Sequence, residues 1–197
     1  MSMIIVKAGD GSTPADETPE NGSRTAADER ARELEPGDAR PLPPRPAGGA
    51  VPRVMPPLRL SLVTLGVADL KRAVAFYEAL GLERRVKEAT GAAFFDAGGV
   101  VLSLYPRPEL AADAGVLPGR AGAFGGIALA CNRASRAEVD TTLIRAVAAG
   151  GRALRPAQPT FWGGYSGYVA DPDGHPWEIA HNPGFPFDAA GRIVLPE

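Results

Sequence analysis

An α+β fold built from two copies of a strand–helix–three-strand unit (βαβββ), behind a disordered proline-rich extension, is what the sequence predicts. The first observation is a split in composition. All seven Phe, four Tyr and two Trp lie between Phe76 and Phe187, whereas ten of the 20 prolines fall in the first 57 positions. A segment without aromatics, with proline at roughly every sixth place, cannot bury a core. The second is a succession of short apolar runs punctuated by Gly-containing turns, and the third is that this succession occurs twice. The expected organisation is an extension over 1–57 and a body over 58–197. The body divides into module one (58–110), a bridge (111–125), module two (126–183) and a C-terminal tail (184–197).

In module one, residues 60–67 alternate as a strand does. Asp69 can cap the next helix, where Leu70, Ala73, Val74, Tyr77 and Leu80 recur at helical spacing before Gly81 stops it. Strands are expected over 82–87, 92–95 and 100–105. In module two the same order returns as a strand over 127–131 and a helix over 135–149, with Val139, Leu143, Ala146 and Val147 on one face. Strands follow near 152–155, 165–170 and 176–181. A constant offset of 75 lays one closing hairpin on the other. Asp96-Ala97-Gly98-Gly99 then falls on Asp171-Pro172-Asp173-Gly174, and Ser103 on Glu178.

Residues 1–57 offer a short apolar start (3–6), a possible helix over 23–34 and a polyproline II stretch at 41–46. The 3–6 run meets Lys7 and Asp10 at once, too short for a signal-peptide core. No apolar run reaches the ~18–20 residues that span a bilayer. Lys+Arg 21 against Asp+Glu 23 leaves no basic surplus for nucleic acid. The single cysteine, Cys131, excludes an internal disulfide and a cysteine-rich metal site. The expected compartment is the cytoplasm.

Three segments resemble the vicinal oxygen chelate superfamily of glyoxalases, bleomycin resistance proteins and dioxygenases. They are Leu60-Ser61-Leu62-Val63-Thr64-Leu65-Gly66-Val67-Ala68-Asp69-Leu70, Ala75-Phe76-Tyr77-Glu78-Ala79-Leu80-Gly81-Leu82, and Asp171-Pro172-Asp173-Gly174-His175-Pro176-Trp177-Glu178. The run Phe161-Trp162-Gly163-Gly164-Tyr165-Ser166-Gly167-Tyr168 is similar to one in small glyoxalase-like members. The resemblance covers roughly 58–183. It implies an open, curved mixed sheet with a cavity on its concave side. In the enzymes it implies a divalent metal held by His, Glu or Gln on the first and last strands of each module. Here those places hold Leu62, Gly126, Ser103 and Glu178, so only Glu178 is kept, and no metal or other cofactor is expected.

Strand alternation sets Glu178 on one face and His175, Trp177, Ile179 and His181 on the other, which removes both histidines from the cavity. The same alternation gives a lining of Leu62, Thr64, Val101, Ser103, Tyr105, Ala128, Ala130 and Glu178. The opposite face carries Val63, Leu65, Leu102, Leu104, Ile127, Leu129 and Trp177. Trp162, Tyr165 and Tyr168 are candidates for stacking on a planar or cationic ligand, and Tyr77 for the cavity edge, with Phe76 in the core. Glu178 is open to three roles: general base, ligand-orienting group or structural carboxylate. The leading expectation is a homodimeric binder of a small organic molecule, as bleomycin resistance proteins are. The alternatives are a metal-free isomerase or lyase using Glu178, a metalloenzyme with an atypical ligand set, and a non-binding structural or interaction module supported by the proline-rich extension.

Overall fold

The computed structural model describes residues 57–119 and 123–196. The expectations for the helix over 23–34, the polyproline stretch and the run at 3–6 fall outside them. Module one contains β1 (Leu62–Val67), α1 (Leu70–Ala79), β2 (Glu83–Arg85), β3 (Ala93–Asp96) and β4 (Val101–Pro106). Module two contains β5 (Leu129–Asn132), α3 (Arg136–Ala148), β6 (Arg152–Pro159), β7 (Tyr165–Ala170) and β8 (Pro176–His181). A further helix, α2 (Arg107–Ala114), joins them. Each module forms a four-stranded mixed sheet, ordered β1-β4-β3-β2 and β5-β8-β7-β6. In each, the first strand runs parallel to the last and the remaining pairings are antiparallel. The bounds of β4 and β8 coincide under the offset of 75.

The helices start where the sequence places their caps. The Asp69 carboxylate accepts from the Arg72 amide at 3.0 Å, and the Ser135 hydroxyl from the Glu138 amide at 3.2 Å. Leu65, Val67, Phe95, Leu102 and Leu104 of the first sheet pack with Phe76, Tyr77, Val139, Val169 and Ile179 into one core. Both sheets therefore turn their helix-side faces toward this common core, and their other faces point away from it.

The turn Asp171–Gly174 is the joint between modules as well as a tight hairpin. The Asp173 carboxylate accepts from the Ala68 amide at 2.8 Å and from Arg72 Nη2 at 3.0 Å, both at the start of α1. Asp171 Oδ2 accepts from the Tyr77 hydroxyl at 2.7 Å, which in turn accepts from Trp177 Nε1 at 3.2 Å.

The structure departs from three expectations. Tyr77 does not reach a cavity edge: it is 0% exposed, with its hydroxyl committed to Asp171. The bridge expected over 111–125 begins inside α2, whose signals are Pro108 in the first turn, Glu109 beside it and left-handed Gly115 as C-cap. Module two's first strand begins at Leu129, leaving Ile127 69% exposed instead of in the core. Its partner β8 begins at Pro176, which has no N–H to extend the ladder.

Candidate functional site

On the faces turned from the core, strand register lines up two corresponding rows. Across the first sheet run Thr64, Ser103, Phe94 and Arg85; across the second run Ala130, Glu178, Tyr168 and Arg155. Each row goes from a small first-strand residue through the closing strand to an aromatic and then an arginine. Ser103 and Glu178 hold equivalent places.

The first face carries an open, mainly apolar groove of about 510 Å³ floored by Leu62, Phe94 and Val101, with Arg85 and Asp96 at its border. Thr64 is half-buried, and Ser103 is 0% exposed. Tyr105 lies farther along, where burial first and then the carboxylates of Asp113 and Glu109 raise its hydroxyl pKa.

On the second face, Glu178 and Tyr168 are direct cross-strand partners. Burial raises the Tyr168 hydroxyl pKa, the Glu178 carboxylate raises it further, and Arg155 opposes them, so the phenol is held in its protonated, donating form. Arg155 forms no salt bridge among the described residues, whereas Arg85 pairs with Glu83 at 2.8 Å. Trp162 lies in the β6–β7 loop and folds its indole onto Gly164, leaving no room there for a Cβ. Gly164 shares the parity of Ser166 and Tyr168, so the indole borders this same face.

Leu62, Thr64, Ser103 and Tyr105 thus share one face, while Trp162, Tyr168 and Glu178 share the other. Tyr165 joins neither. It points to the helix side, where its hydroxyl donates to Asp140 Oδ1 at 2.9 Å and the Arg136 guanidinium lies 5.5 Å from its ring. Alternation excludes it from any face that holds Tyr168. Both histidines point away from Glu178: His175 Nδ1 pairs with Asp171 Oδ2 at 2.8 Å, and His181 Nδ1 with the Arg133 carbonyl at 3.1 Å. Cys131 is half-buried, and burial pushes its thiol pKa up.

Phe94, Arg85 and Arg155 were missed in the sequence. Phe94 and Arg85 follow from alternation once β2 and β3 are paired. Arg155 has no such signal, because β6 shifts register on both sides of it.

Residues 59–179 match the model of the Glyoxalase/Bleomycin resistance protein/Dioxygenase superfamily. The chain belongs to this superfamily. A glyoxalase-related enzyme from Fulvimarina pelagi is 40% identical, with 70% of this chain and 97% of that one covered and a TM-score of 0.63. A lactoylglutathione lyase from Agrobacterium tumefaciens is 32% identical, with 64% and 96% covered and a TM-score of 0.50. A glyoxalase/bleomycin resistance protein/dioxygenase from Nocardioides is 25% identical, with 66% and 86% covered and a TM-score of 0.54. No curated protein matches the chain.

Members of the superfamily that use a divalent metal need several oxygen or imidazole donors around it. Here the neighbours of Glu178 across the strands are Ala130 and Tyr168. Among the described residues no three His, Cys, Asp or Glu side chains gather. The donor set of this face does not fit such an ion. No helix of the described residues is long and apolar enough to cross a membrane.

Proposed function

We propose that this superfamily member binds a small planar organic molecule on the face of module two, without a metal ion. The observation that carries the reading is the row Ala130–Glu178–Tyr168–Arg155 bordered by Trp162. Alanine leaves room for a ring and the indole offers a stacking surface. Glu178, Tyr168 and Arg155 supply an acceptor, a donor and a cation to orient it. Isothermal titration with a panel of aromatic metabolites and antibiotics tests it. Saturable binding that weakens about tenfold or more in Glu178→Gln or Tyr168→Ala is expected. Failure of the whole panel to bind sinks the reading. Stoichiometric zinc, nickel or iron in protein purified without chelators overturns its metal-free part.

The pairing of Glu178 with a protonated Tyr168 favours a second reading, an isomerase or lyase. In it Glu178 would take a proton beside a carbonyl while the phenol donates a hydrogen bond to the developing oxyanion. A Glu178→Gln variant with full turnover of an identified substrate would remove it.

The assembly we propose is a homodimer in the cytoplasm. Leu60, Leu62, Phe124 and Ile127 are exposed apolar residues at or beside the first strands of the two sheets, and a second copy would cover them. A monomeric mass by light scattering at working concentration rejects the dimer.

A further inference from the structure

Helix α2 lies across the face of module one that carries Thr64, Ser103 and Tyr105. A Cβ at Gly66 would come within 3.2 Å of the Arg107 Cα, so the helix starts directly on β1. Glu109 and Asp113 sit close enough to Tyr105 to perturb its hydroxyl. Beside this contact Ser103 is fully buried, although Val101 and Tyr105, flanking it on the same face, are not.

The hold of α2 on the sheet is weak. Ala111 is its one buried residue, and Pro106 at its N-cap offers no side-chain hydrogen bond. Ser103 Oγ, Arg107 Nε and Glu109 Oε2 are buried with no hydrogen-bond partner among the described residues. Each such atom costs stability while the helix is down, and Ser103 Oγ and Glu109 Oε2 regain water when it lifts. The firm end is the first residue, where Arg107 Nη2 donates to the Asp173 carbonyl at 3.3 Å. The far end stops at left-handed Gly115.

We infer that α2 is a cover over a second binding compartment, lifting from its Gly115 end while Arg107 stays tethered. Lifting exposes Ser103 and extends the open groove of Leu62, Phe94 and Val101 toward Thr64 and Tyr105. The compartment so formed is apolar with hydroxyl groups along one side, which suits a neutral planar molecule carrying hydrogen-bonding substituents. That this molecule is the protein's ligand rests on the proposed function; the lifting itself does not.

Hydrogen exchange on the full chain tests the lifting. The amides of residues 111–116 are expected to exchange at least about a hundredfold faster than those of Leu102 and Leu104 in β4. Ala112→Gly should speed the helix amides a further fivefold or so and leave β4 unchanged. In a Cys131→Ala background, Ser103→Cys gives a thiol expected to react with a maleimide in step with that acceleration. Equal exchange of α2 and β4 overturns the inference, because the helix then opens only with the whole domain. Rapid helix exchange with an introduced thiol that stays inert in folded protein overturns it too. A titration panel that binds nowhere would remove the ligand reading while leaving these rates in place, so the two failures are separable.

Discussion

Replacing Tyr77 by Phe removes one oxygen from the joint between the modules. That oxygen donates to Asp171 Oδ2 at 2.7 Å and accepts from Trp177 Nε1 at 3.2 Å. A hydrogen bond to a charged acceptor contributes about 1.5–3 kcal/mol. For a folded body of roughly 140 residues each kcal/mol moves Tm by about 3–5 °C, so a fall of roughly 5–15 °C is expected at neutral pH. The pH dependence identifies the cause. Burial would raise the Asp171 carboxyl, but hydrogen bonds from His175 and Tyr77 outweigh it and hold its pKa below the ordinary value. A depressed carboxylate stabilises the fold above its unfolded pKa of about 4 and loses that contribution as pH falls through the folded one. Tyr77 has the opposite sign. Burial first and then the Asp171 charge push its hydroxyl pKa far up, so it stays protonated in the fold while the unfolded phenol ionises above about pH 10. The gap between wild type and Tyr77→Phe should therefore be flat from about pH 5 to 9 and narrow on both sides. Thermal unfolding by circular dichroism from pH 3 to 11 measures it. A Tm difference under about 2 °C at pH 7, or a gap that widens in acid, would refute the reasoning.

Three other substitutions probe the second sheet. Gly167→Ala places a Cβ 2.7 Å from Leu143 Cδ1 and 2.8 Å from the Ala157 amide nitrogen; a loss of about 1–3 kcal/mol by urea denaturation is expected. Gly164→Ala evicts the Trp162 indole, and a red shift of tryptophan emission without loss of the fold should report it; unchanged emission contradicts the placement. Glu178→Gln removes a charge that raises the Tyr168 hydroxyl pKa, so the phenol should titrate at lower pH in an ultraviolet titration, and an upward shift would reverse the assignment.

The repeat was legible because turn chemistry and alternation are local. Asp96–Gly99 and Asp171–Gly174 fix two hairpins at one offset, and the closing strands follow in register. Glu178 was legible for the same reason, since parity alone sets it opposite Trp177. Tyr165 shows parity left unused: it stands three residues from Tyr168, and so on the other face. Helix α2 had its signals, in Pro108, Glu109 and Gly115, but they sit among residues that otherwise read as a linker.

By itself the sequence determined the elements of each module and the side of a strand each residue takes, because hydrophobic period, caps and turns act over a few positions. Only the tertiary structure decided what those faces meet. Tyr77 is held by Asp171 and Trp177, 94 and 100 positions away, and no local pattern specifies that contact. Both modules bury their helix sides in one core, and the Ser103 and Glu178 rows stand on the outer faces of separate sheets. Burying those large apolar side chains together removes more apolar surface from water than closing two small, polar-dotted faces on each other would.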